Sequence, residues 1–350
     1  MSREKIAVLN ACNPIHVERE SDVYVDYQDG NFFDGDTMIK KCVSWHSIPA
    51  AFETEFHVYK KEGWQGIFKW DHILVMVKDD PKELFPLISK LKLMKKTVGI
   101  AFHENGNYFS LKANDLAWLH ELKSLVEMGD YFWNLNVPLE EFFSQVFDVP
   151  IFSCWHAFPH DWNHGFTVPI ENREGIFIGT RTLSQNLKRN TLFSLGVANK
   201  IAAENKTFAT FFCEDKVDLK FMQSYLINLG LENTRIIPGP LPYESWLKLI
   251  ATHKVLFQMD ASDTLGQVVG DAVLVGVPSV GGTTVNSHLF GTYCEVGDHA
   301  PALSAILENP ETPNQFEESF AAFRKATSLP TLKEIHQKQL FPQIGLNDDN

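Results

Sequence analysis

Cysteine is scarce in this chain and irregularly placed. The five, Cys12, Cys42, Cys154, Cys213 and Cys294, are odd in number and follow no repeated spacing. That argues against a disulfide framework or a zinc site and favours a reducing, cytoplasmic setting. Long apolar runs are missing too. No stretch approaches the length of a bilayer-spanning helix, and the short apolar run after Lys5 is too slight for a secretory leader. Positive charge is in deficit, with 31 basic against 44 acidic residues and a formal charge of −13. Such a chain repels nucleic-acid backbones and anionic lipid. The short clusters Lys90-Lys92-Lys95-Lys96 and Lys188-Arg189 give no clear signal for either partner. Internal repeats and low-complexity segments are absent. So is a glycine-rich turn after the first apolar run, where Ala11-Cys12-Asn13-Pro14 follows residues 5–10; this excludes the dinucleotide fingerprint.

What is present is an alternation of short apolar runs and helical patterns. The 350 residues, 44% of them apolar, fit two domains of ordinary size. Continuous apolar runs of strand length fall at 5–10, 56–59, 73–77, 97–102, 131–134 and 151–153. In the second half they fall at 175–179, 208–213, 235–239, 255–257 and 277–280. Strands buried on both faces of a parallel sheet read this way, so the class is α/β. Helical patterns lie between them at 38–52, 81–93, 116–128, 138–147, 192–204, 219–229 and 267–275. A helical tail over 302–335 is divided by Pro313 and Pro330. Residues 22–36 read as a polar loop. Residues 154–164 are dense in His and Trp but match no common zinc spacing, and read as an interdomain linker packed by aromatics.

The most informative stretch is 238–298. A helical pattern with Trp246, Leu247 and Ile250 on one face leads into the strand 255–257. The polar turn Asp260-Ala261-Ser262-Asp263-Thr264-Leu265-Gly266 follows, then an apolar helix stopping at Gly276 and a restart at Val277-Pro278-Ser279-Val280. In an open α/β sheet, a loop leaving a strand's carboxyl end and entering a helix is where ligands bind. The helix N-terminus adds a partial positive charge. Asp263 and Asp271 bracket this turn. By spacing alone they read equally as a cleft-facing pair or as a helix-start charge beside a solvated aspartate.

This segment resembles the donor-binding half of retaining GT-B glycosyltransferases. That family has an acidic residue, Gly-Phe-Gly, then a second acidic residue eight positions after the first. Here stand Asp263-Thr264-Leu265-Gly266 and Asp271, with Asp at both acidic positions where Glu is usual and Thr264 in place of the first Gly. Ala272, Gly276, Pro278 and Val280 match its next segment. Val296-Gly297-Asp298, Ala302-Leu303, Ala305-Ile306 and Asn309-Pro310 match its tail.

The resemblance implies two Rossmann-like doubly wound parallel-sheet domains facing a central cleft. It places an acceptor domain at 1–165, a nucleotide-sugar donor domain at 166–325, and a C-terminal tail at 326–350 that crosses back. It implies transfer of a sugar from a nucleotide diphosphate sugar, with retention and without metal or other cofactor. Asp263 would hold sugar hydroxyls and Asp271 the ribose, with Thr264, Leu265 and Gly266 in the same loop. Arg181, with Lys188 or Arg189, would face the diphosphate, and the backbone around Gly239 and Leu241 the base. His103, at the end of an apolar run, takes the place of a histidine facing the donor sugar. Taken alone, the basic loop also reads as solvated, and His103 as a packed structural histidine. A nucleotide-sugar epimerase and a catalytically inactive nucleotide-sugar-binding protein share the same plan. No motif marks the acceptor or the oligomeric state.

Overall fold

The computed structural model describes residues 6–11, 24–26, 43–60, 62–77, 80–102, 115–158, 160, 166–179, 190–213, 216–239, 241–259, 266–282, 299–309 and 317–344. The chain divides into two compact units, residues 1–159 with 326–350, and residues 160–325.

The first unit is built on strands β1 (Ile6–Asn10), β2 (Tyr24–Asp26), β3 (Glu55–Val58), β4 (His72–Val77), β5 (Thr97–Phe102), β6 (Tyr131–Asn134) and β7 (Ile151–Ser153). They form one sheet in the order β2-β3-β1-β4-β5-β6-β7. Six are parallel, and β2 pairs antiparallel with β3 at the edge. The expected polar loop at 22–36 is therefore corrected at Tyr24–Asp26. Three residues joining an edge leave no periodic trace. Strands β1, β3, β4, β5 and β6 are buried along nearly their whole length, which is why they read as apolar runs.

Helices α2 (Phe85–Leu93), α3 (Leu116–Met128) and α4 (Glu140–Val146) cover one face through Leu87, Ile88, Leu122, Leu125 and Phe143. On the other face, α1 (Val43–Ala51) lies beside α11 (Leu329–Ile335). Phe52, just after α1, and His336, just after α11, meet with ring centroids 4.5 Å apart. Gly99 sets the spacing on this sheet. It pairs with Tyr131, and a Cβ there would fall 2.2 Å from the Tyr131 ring, whose hydroxyl lies 2.8 Å from His72 Nε2.

The second unit carries β8 (Ile176–Ile178), β9 (Ala209–Cys213), β10 (Thr234–Pro238), β11 (Val255–Phe257) and β12 (Ser279–Val280). All are parallel, in the order β10-β9-β8-β11-β12. Helices α5 (Thr191–Glu204) and α9 (His299–Glu308) pack on one face through Leu195, Ala198, Ile201, Leu303 and Ile306. Helix α7 (Tyr243–Ala251) packs on the other. There the Trp246 ring sits 5.2 Å from Phe177 and 5.1 Å from Phe212 between ring centroids. The remaining helices of this unit are α6 (Lys216–Asn228), α8 (Gln267–Leu274) and α10 (Glu317–Thr327), the last running into the first unit's C-terminal portion.

Candidate functional site

In the second unit the strand order reverses between β8 and β11. Successive connections leave in opposite directions there, so the carboxyl ends of β8 and β11 border a crevice. Backbone without side chains lines both flanks of this edge. The Gly179 N–H, just past β8, donates to Phe257 O at 2.8 Å, and a Cβ on Gly179 would approach Gln258 Oε1 to 3.1 Å. Gly281, just past β12, has φ +82°, and a Cβ there would lie 2.5 Å from Gln258 O. Both the left-handed conformation and the close approach demand glycine at that position.

Two helices start at the same edge. Asn190, itself left-handed at φ 46°, precedes α5. Its Nδ2 donates to Met259 O at 2.9 Å, and Met259 N–H donates to Ser194 Oγ at 3.2 Å. The segment leaving β11 is thereby tied to the first turn of α5. Gly266, left-handed at φ 72°, opens α8, and its carbonyl accepts from the N–H groups of Val269 and Gly270 at 3.0 and 3.2 Å. Both helix dipoles present their positive ends to this edge, the arrangement that favours an anionic ligand.

Asp271, in the second turn of α8, is only 1% exposed. Its two carboxylate oxygens accept separate hydrogen bonds from α7: Tyr243 O–H donates to Oδ1 at 2.7 Å and Trp246 Nε1–H to Oδ2 at 2.9 Å. A buried carboxylate is tolerated when donors of this kind meet it. Arg173 holds the far end of α8. Its Nε donates to Val168 O at 2.8 Å, Nη1 to Gly276 O, and Nη2 to Val275 O at 3.5 Å. Beneath α7, Arg235 Nε donates to Thr210 Oγ1 at 2.9 Å, and Thr210 lies 2.8 Å from His253 Nε2. Burial holds His253 down to about 4, so it is neutral.

No family model and no curated protein matches this sequence. Solved structures do match its shape. HepE of Anabaena in complex with UDP is 11% identical, covers 97% of this chain and 100% of its own, and superposes with a TM-score of 0.66. The same protein in complex with UDP-glucose is also 11% identical, covers 95% and 98%, and gives 0.62. Sucrose-phosphate synthase from Thermosynechococcus elongatus is 11% identical, covers 97% and 100%, and gives 0.62. The chain has the GT-B glycosyltransferase fold. The two parallel-sheet units described above are the Rossmann-like domains of GT-B proteins.

Within this GT-B chain the sequence-expected residues divide sharply. Gly266 caps α8 at the carboxyl edge, and Asp271 lies one turn further along the helix, buried against α7. The Tyr243 bond ties Asp271 to the start of α7; just upstream, Gly239 N–H donates to Cys213 O at 2.8 Å and Leu241 is half-buried. His103, Arg181, Lys188, Arg189, Asp263, Thr264 and Leu265 lie outside the described residues. Gly179 and Asn190, which bound the basic segment, both stand at the end of β11, as their bonds to Phe257 O and Met259 O attest. Sequence reasoning missed the polar work of Tyr243 and Trp246, and also Asn190, Gln258 and Gly281. The three-residue interval between Tyr243 and Trp246, which sets both on one helix face, was the available signal. Among the described residues no group of three or more His, Cys, Asp or Glu side chains is placed to hold a metal ion. No described helix is long and apolar enough to cross a membrane.

Proposed function

We propose that this GT-B chain is a glycosyltransferase that moves a hexose from a nucleotide diphosphate sugar to an acceptor, with retention at the anomeric carbon and without a metal. The observation that carries the reading is the carboxyl edge of the second unit. Two helix N-termini and glycine-lined backbone meet there at the point where strand order reverses, in a fold shared with HepE structures that hold UDP and UDP-glucose.

Breaking the bond between sugar and phosphate builds negative charge on the departing diphosphate. Fixed positive ends and cations stabilise that charge most effectively when they are already in place. In this reading the N-terminus of α8 supplies one such end, and Arg181 with Lys188 or Arg189 supplies the cations. Asp263 orients the sugar, with Thr264 and Leu265 beside it, and Asp271 takes the ribose hydroxyls. The backbone around Gly239 and Leu241 meets the base, and His103 acts over the donor sugar.

A thermal-shift screen against UDP, GDP, ADP and their sugars tests the donor class, because selective binding raises stability by mass action. One nucleotide family is expected to raise the melting temperature. Arg181→Ala is then expected to lower turnover of that donor by about 100-fold while the melting temperature of the unliganded protein stays put. Unchanged turnover in that variant removes Arg181 from the site.

A further inference from the structure

We propose that Tyr243 and Trp246 are positioning residues that set the reach and plane of the Asp271 carboxylate toward the donor's ribose. The inference deepens the proposed function and rests on that reading of Asp271. Its own support is geometric. The two donors come from one helix, α7, three residues apart, and each takes a different oxygen, at 2.7 and 2.9 Å. A carboxylate held by two donors at separate oxygens cannot rotate about its terminal bond without breaking one of them.

All three side chains are buried, Tyr243 6%, Trp246 4% and Asp271 1% exposed, so water does not substitute freely for either donor. Trp246 is itself wedged between Phe177 and Phe212, which fixes the origin of its N–H. The same helix begins at Tyr243, close in the chain to Gly239 and Leu241, whose backbone is assigned to the base. The pair also fits an aspartate at this place.

The test measures affinities of wild type, Tyr243→Phe, Trp246→Phe and Asp271→Asn for UDP, GDP and ADP and for their 2′-deoxy and 3′-deoxy counterparts, with melting temperatures alongside. For the base that binds, wild type is expected to prefer the ribonucleotide by about tenfold or more over at least one deoxy form, and Asp271→Asn to lose that preference. Tyr243→Phe and Trp246→Phe are each expected to reduce it several-fold while affinity for the disfavoured deoxy form stays at the wild-type value. A merely structural role would weaken both forms alike. Two phenylalanine variants that keep the full ribose preference, beside an Asp271→Asn that loses it, overturn the inference and leave the site reading intact. Ribose preference that is absent in wild type, or retained in Asp271→Asn, removes the ribose reading itself.

Discussion

His336 sits fully buried with neither ring nitrogen hydrogen-bonded among the described residues, ringed by Phe52, Trp133, Phe152 and Phe341 and stacked on His72 at 5.8 Å. Burial drives it well below the usual histidine value, with His72 adding to the effect, and burial takes His72 down to about 3. Burial therefore keeps both neutral in the fold through the range where a free histidine titrates, whereas in the unfolded chain they protonate below about 6.5. The unfolded state then binds more protons, and stability falls as pH drops below about 6.5. Denaturant titrations at pH 7 and pH 5 are expected to show this loss, and His336→Phe to reduce its slope. An unchanged slope in that variant would contradict the assignment. At this scale the sequence spoke unevenly. The eight-residue interval from Asp263 drew attention to Asp271, but nothing in the sequence pointed to Tyr243 and Trp246 as its hydrogen-bond partners. Trp246 shares a face with Leu247 and Ile250 and reads as core. It is core, save for the one N–H that reaches Asp271.

Elements were more legible than side chains, for a physical reason. A strand covered on both faces must be apolar throughout, so the runs at 73–77, 97–102 and 255–257 announced β4, β5 and β11 directly. Pro330 marked a boundary correctly, standing in the first turn of α11 behind the Ser328 cap. The π-turn at His336–Leu340 was invisible, because a change of helical winding needs no particular residue. Neither did the sequence reveal that one arginine would hold the end of α8. Arg173→Ala removes donors to three carbonyl oxygens and is expected to cost about 2–3 kcal/mol of stability. Arg173→Lys should recover only part of it, since a single ammonium cannot span the fork. Equal stability of the alanine variant in equilibrium unfolding would show that α8 needs no such clamp.

At the scale of the molecule, sequence alone yielded the class and the two-domain plan, because sheet-forming runs recur through both halves. Strand order stayed hidden, since pairing is non-local, and with it the reversal between β8 and β11 that makes one edge of the second unit a crevice. The proposed function stands or falls on that edge. Hydrogen–deuterium exchange with and without the nucleoside diphosphate that binds best measures it most directly. Protection is predicted in peptides spanning 239–246 and 266–274, with Asp271→Asn weakening it at the same ligand concentration. Protection confined to residues 1–159, or none in the α8 segment at saturating ligand, would contradict the account.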